Sequence, residues 1–166
     1  KSIPEQFREI KEIMSRKWSG AKYLAYFQAY TNTYAPLKRL QEVYEQALAE
    51  EGVVGLSIAT RPDCLPEDIL DYLAELNERT YLWVELGLQS IHDRTMEWVG
   101  RGHTYEVFLE GLKKLRQRNI RVCAHLIYGL PGESREDIFS SAQAVAQLDL
   151  QGLKIHLLHV LRGTPL

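Results

Sequence analysis

Five short apolar runs alternate with amphipathic helical patterns, and this alternation constrains the chain more than any other feature. The runs fall at 22–30 (KYLAYFQAY), 53–60 (VVGLSIAT), 80–88 (TYLWVELGL), 120–129 (IRVCAHLIYG) and 153–161 (LKIHLLHVL). Helical spacing fills the gaps at 35–51, 65–79, 90–100, 104–119 and 134–149, and an opening helix is predicted over 4–18. Ser134 stands as an N-cap with Asp137 three residues on. Strands alternating with helices at this spacing imply a parallel sheet with the helices packed outside it. Such a chain is α/β, and two architectures satisfy the pattern: an open doubly wound sheet, or part of a βα barrel. Both place the reactive end at the C-termini of the strands. There is no linker, low-complexity segment or long charge run, so residues 1–166 read as one domain.

Apolar residues make up 45% and charged residues 25%, the balance of a soluble globular protein. The net charge of −2 argues against a general nucleic-acid or membrane surface. Two distant cysteines, Cys64 and Cys123, make neither a disulfide scaffold nor a zinc ribbon, and they fit a reducing, cytoplasmic setting. The chain starts at Lys1 directly in a helical pattern and ends at RGTPL, as a piece of a longer protein would.

The run at 80–88 raises the functional question. Residues two apart in a strand share a face, so Glu85, Gly87 and Gln89 point together, as do Cys123, His125 and Ile127. A polar face on a buried strand needs partners or a ligand. Either the groups pair with one another across a barrel interior, or they hold a bound molecule. Past the first strand, Gln28, Thr31 and Asn32 form a polar crown suited to an amino-acid-like ligand, or simply cap the next helix. Past the second strand, Arg61 and Asp63 read as a local ion pair. The turn YGLPGES (128–134) bares main-chain groups beside a helix start; it is neither a Walker loop nor a dinucleotide fingerprint. His156 and His159 are three apart in the fifth run and would face opposite sides.

ELGLQS, then Arg101 twelve residues after Gln89 in GRGH, then LIYGLPGES and GTPL, together resemble the radical S-adenosylmethionine (SAM) superfamily. The likeness is strongest to the branch of the oxygen-independent coproporphyrinogen oxidases and the Elongator catalytic subunit. YFQAYTNTYAPL and ATRPDCL resemble, more particularly, an uncharacterised bacterial subfamily of that branch. The resemblance implies a partial (βα)6 TIM-like barrel, of which the five parallel strands here are the second to sixth. It implies SAM and a [4Fe-4S] cluster at the top of the barrel. There SAM is reductively cleaved to a 5′-deoxyadenosyl radical that abstracts a hydrogen from substrate. Gln28, Thr31, Asn32, Glu85, Gln89, Arg101 and His125 are the cofactor-binding positions it points to, with Arg101 matched to an arginine that contacts SAM.

Several departures stand beside the likeness. Gln28-Ala29-Tyr30-Thr31-Asn32 replaces a Gly-Gly-Gly-Thr-Pro turn, with Tyr30 removing the freedom of a glycine. Ala59 stands where the family has a glutamate, and His125 where the porphyrin branch has an aspartate. The cysteine loop that holds the cluster is absent, so the family's cluster is expected in the full-length protein only and this piece alone is expected to be inert. Expected partners are SAM, a flavodoxin-type reductant and a substrate of open identity (tRNA or another), with no membrane. An unpaired edge at 22–30 predicts self-association. The alternative reading is a noncatalytic βα module that binds a nucleotide-like ligand or a protein partner.

Overall fold

The computed structural model describes residues 2–28 and 30–164. Its elements run α1 (Ile3–Ser15), β1 (Tyr23–Phe27), α2 (Leu37–Leu48), β2 (Val53–Thr60), α3 (Glu67–Arg79), β3 (Tyr81–Gln89), α4 (Asp93–Trp98), α5 (Tyr105–Gln117), β4 (Arg121–Tyr128), α6 (Arg135–Ala146) and β5 (Gly152–Leu157). The five strands pair in sequence order, every pair parallel. The expected α/β architecture is present, and it is the half-barrel form rather than an open doubly wound sheet.

Side-chain chemistry shows the curl of the sheet. In a flat sheet four strand spacings of about 4.8 Å would separate β1 from β5 by roughly 19 Å. Here Lys154 of β5 donates to the Tyr26 hydroxyl of β1 at 3.1 Å, with its ammonium 4.8 Å from the ring centre. The edge strands therefore lean toward each other across a hollow.

The two faces of β3 sort by residue parity. Leu82, Val84, Leu86 and Leu88 are fully buried against the helical layer, where Leu73, Leu76, Phe108 and Leu115 meet them. The intervening residues, Glu85, Gly87 and Gln89 among them, line the hollow. β2 is buried on both faces through Gly55–Ile58, as its unbroken apolar run predicts. Gly55 is required there, since a Cβ would sit 2.0 Å from the Tyr81 carbonyl oxygen. Ser134 caps α6 in a reciprocal box with Asp137.

Most elements are a few residues shorter than their sequence patterns, and for three the structure shows what stops them. β1 stops at Phe27 because the Asn32 main chain and side-chain amide both donate to the Ala59 carbonyl, which a longer strand would use. Ala29, within the run predicted as strand, lies outside the described residues. β5 stops at Leu157, since its partner β4 ends at Tyr128 and turns away through Gly129 at φ +86°. His159 is therefore outside the strand, which corrects the reading of His156 and His159 as strand residues on opposite faces. The helix predicted from Ser90 begins at Asp93, because the Ser90 hydroxyl accepts from the His92 amide in a turn. No helix among the described residues is long and apolar enough to cross a membrane.

Candidate functional site

The hollow carries two tiers. In the lower tier each strand contributes one polar side chain: Tyr26, Ser57, Glu85, His125 and Lys154. Tyr26 pairs in register with Ser57, and His125 with Lys154. Between them the tier climbs, because Ser57 lies opposite Trp83 and Glu85 opposite Cys123, each two residues short of the next member. That stagger is the shear of a barrel.

Glu85 is the hub. Its Oε2 accepts from the Tyr26 hydroxyl at 2.6 Å and from Lys154 Nζ at 2.7 Å, and lies 2.6 Å from His125 Nε2. Its Oε1 accepts from Ser57 at 2.9 Å. Burial pushes the Glu85 pKa up, but the hydrogen bonds from Lys154, Tyr26 and Ser57 outweigh it and hold the carboxyl down at about 2. Burial drives His125 toward the neutral imidazole, against the pull of Glu85. A neutral ring beside a carboxylate keeps its proton on Nε2, which leaves Nδ1 as an acceptor. The lower tier thus fulfils the self-pairing barrel interior, and Glu85 has its oxygens engaged.

The upper tier is a cavity of about 460 Å³ at the C-terminal ends of β2, β3 and β4. Its size lies within the range of small-molecule sites. Gln89 closes β3 there with φ +64°, at a break in register between Gly87 and Gln89. Its amide folds back over Gly87, where a Cβ would stand 2.8 Å from Nε2. Gln89 Oε1 is buried without a hydrogen-bond partner. A left-handed non-glycine residue costs about 1–3 kcal/mol, and an orphaned buried acceptor about 1–3 kcal/mol. Both costs fall on one side chain at the cavity wall. The other buried side-chain atoms without partners among the described residues, Asn77 Oδ1 and Ser141 Oγ, border none of the cavities described.

Arg101 borders the same cavity but is deeply engaged, its side chain only 5% exposed. Nε donates to the His103 carbonyl at 2.8 Å, and Nη1 donates to the carbonyls of Leu88 and of Ser90, the latter at 2.9 Å. Nη2 meets Asp93 Oδ1 at 3.1 Å. His103, beside it in the cavity wall, is pushed toward its neutral form by burial and by Arg101.

The structure thus brings Glu85, Gln89, Arg101 and His125 together around one cavity. It places Gln28, Thr31 and Asn32 on the β1–α2 loop, outside that lining. Gln28 is exposed and Thr31 half-buried. The Asn32 amide donates to the carbonyls of Phe27 and Ala59 at 3.1 and 2.9 Å, bracing the loop against β2. Tyr30 takes φ +61°, a left-handed backbone that favours glycine, while its side chain is 97% exposed. Arg61 pairs with Asp63 at 2.6 Å, as its sequence position suggested, and it also lines the cavity just past β2, which the sequence reading did not foresee.

A larger cavity, about 760 Å³, opens between the loops before α2 and α3 and helix α5, beside Pro36, Cys64, Ile69 and Lys114. It holds no strained or unpartnered group of the kind Gln89 provides, and it lies on the helical side of the sheet. We take the smaller cavity as the site for these reasons.

The [4Fe-4S] cluster implied by the resemblance finds no ligands here. Among the described residues no three His, Cys, Asp or Glu side chains gather to hold a metal. Burial raises the thiol pKa of both Cys64 and Cys123. SAM is a different case: a cavity of fitting size, a buried amide oxygen awaiting a donor and apolar walls from Met96, Val99 and Leu130 suit a mixed polar and apolar ligand.

The family model described as the radical SAM superfamily matches residues 2–145. The uncharacterized protein YtqA of Bacillus subtilis is 60% identical over 161 residues, covering 97% of this chain and 50% of that protein. The chain therefore spans about half the length of such curated relatives. Among solved structures, the archaeal Methanocaldococcus infernus Elp3 with an N-terminal deletion superposes with a TM-score of 0.76 at 21% identity, over 99% of this chain and 45% of that one. Coproporphyrinogen III oxidase (HemN) of Escherichia coli gives 0.64 at 24% identity, over 79% and 30%. At such identities these two likenesses establish the fold.

Proposed function

The chain belongs to the radical SAM superfamily, and from that premise we propose that the cavity at the ends of β2, β3 and β4 binds SAM. In the superfamily SAM serves as the source of a 5′-deoxyadenosyl radical. The whole protein would be an enzyme of that kind, with the cluster thiolates and the contact with a flavodoxin-type reductant supplied from outside these residues. Its substrate class stays open; a net charge of −2 gives no support to an extended tRNA surface on this part.

The observation that carries the reading is Gln89. Its strained backbone and orphaned Oε1 are both costs to the ligand-free fold, and both are explained if Oε1 accepts a hydrogen bond from bound SAM. His125 supports it with a second acceptor, since Glu85 engages Nε2. Gly87 leaves room for the folded-back amide.

The test separates binding from stability. Gln89→Gly removes the strain and the orphan together. It should raise stability by about 1 kcal/mol in urea unfolding. It should also weaken SAM binding by about fivefold to a hundredfold, the loss of one buried hydrogen bond, in equilibrium dialysis of the chain. Unchanged SAM affinity in a well-folded variant would reject the reading.

A further inference from the structure

The larger cavity, about 760 Å³, lies on the helical side of the sheet and shares a wall with the smaller one. That wall is the loop between β2 and α3: Arg61 borders the smaller cavity, while Pro62, Asp63 and Cys64 border the larger. The loop is held from two sides. The buried Thr33 hydroxyl bonds the Thr60 hydroxyl and the Cys64 carbonyl, tying it to the β1–α2 loop. From the other side α5 comes close at Gly111, where a Cβ would stand 3.0 Å from that of Pro62. Pro36, Pro62 and Pro66 all line the cavity. A fixed proline φ stiffens such walls, so the cavity stands formed before anything enters it.

Its charges do not cancel. Asp63, Glu110 and Lys114 are the charged residues of the lining. Asp63 meets Arg61 at 2.6 Å, and Lys114 turns to Glu67 at 3.1 Å. The Glu110 carboxylate has neither an ion pair nor a hydrogen bond among the described residues. The one uncompensated charge in the lining is therefore negative. The surfaces that share the cavity with it are apolar: Leu65 and Ile69 are 5% and 3% exposed, and Tyr34 is 81% exposed. A carboxylate and an aromatic face in one cavity both attract a cation, and the apolar floor takes up a hydrocarbon body.

We propose that this cavity is a second binding site, for a small organic cation: a protonated amine on an aromatic or aliphatic body, without a carboxylate. Glu110 takes the ammonium, Tyr34 offers its ring face, and Leu65 and Ile69 receive the body. A carboxylate on the ligand would be repelled by Glu110, which separates this ligand class from amino-acid-like zwitterions. An amine held here rests against the outer side of the loop whose inner side carries Arg61.

The experiment is a 1H–15N NMR titration of the chain with phenethylamine, with its neutral counterpart 2-phenylethanol, and with methylamine, which has the charge and no body. Phenethylamine should give saturable shifts at 34–36, 62–66 and 110–114. It should bind about threefold to tenfold more tightly than 2-phenylethanol, the combined effect of a partly exposed ion pair and a cation–π contact. Methylamine should give no saturable shift. Glu110→Gln should erase the preference for the amine and leave the affinity for 2-phenylethanol unchanged, which also shows that the variant is folded and its cavity intact. Equal affinity of the wild type for the two phenyl probes, a preference that survives Glu110→Gln, or saturable binding of methylamine would each overturn the proposal. So would shifts centred on Gly87, Gln89 and Arg101, or no binding of either phenyl probe. No SAM is present in the titration, so its failure leaves the reading of the smaller cavity standing, and failure of that reading leaves this one standing.

Discussion

At the scale of single residues, Glu85 shows how an acid inside a barrel remains ionised. Four side chains from four other strands converge on it, and Lys154 supplies the balancing charge. Its folded pKa of about 2 lies below the ordinary value of 4.5. A depressed carboxyl pKa adds stability that is present above pH 4.5 and is lost as pH falls toward 2. The chain should lose stability across that acidic window, and Glu85→Gln should flatten that part of the pH profile. At neutral pH the same substitution should cost about 1.5–3 kcal/mol by leaving Lys154 and Tyr26 with a weaker acceptor. Chemical denaturation from pH 2 to 7 measures both. A variant whose acid limb matches the wild type would show that Glu85 is not the group responsible. Parity in the sequence sufficed to put Glu85, Gly87 and Gln89 on one face. It held no sign that Gln89 would adopt φ +64°, nor that Glu85 would reach Lys154, 69 residues away in the chain. Those features depend on curvature, which only the assembled sheet possesses.

At the scale of elements, β5 is the least protected strand. Lys154 and His156 turn into the hollow, the latter with its ring 5.1 Å from that of His125. Leu153, Ile155 and Leu157 face outward and are 46%, 50% and 66% exposed. An apolar row beside an open strand edge favours association. The sequence pattern pointed instead to the β1 edge, where Phe7 of α1 packs edge-on against Tyr23 at 5.7 Å. We expect Ile155→Lys to reduce concentration-dependent self-association of the chain, read by light scattering, more than a lysine at Leu24 of β1 would. Equal effects at both edges would contradict this. Strand order and helix placement were legible because buried parallel strands read as apolar runs and covering helices as amphipathic ones. Strand ends were not, because a partner decides them: Asn32 takes the Ala59 carbonyl that would have extended β1, and β5 ends for want of β4 beyond Tyr128.

At the scale of the whole molecule, a half-barrel divides its interior by height. The lower tier pairs with itself and fixes the curl, and the upper tier, at the strand ends, keeps the Gln89 amide oxygen without a partner. On the proposed reading the ligand enters the hollow and not the larger cavity beside α5. The direct test is hydrogen–deuterium exchange of the chain with and without saturating SAM. The upper-tier reading predicts slowed exchange at 59–62, 87–91, 101–104 and 127–131, with the backbone around Gly111 and Ile69 unchanged. Protection confined to the segments around Pro36, Cys64 and Gly111, or none at the strand ends, would contradict it.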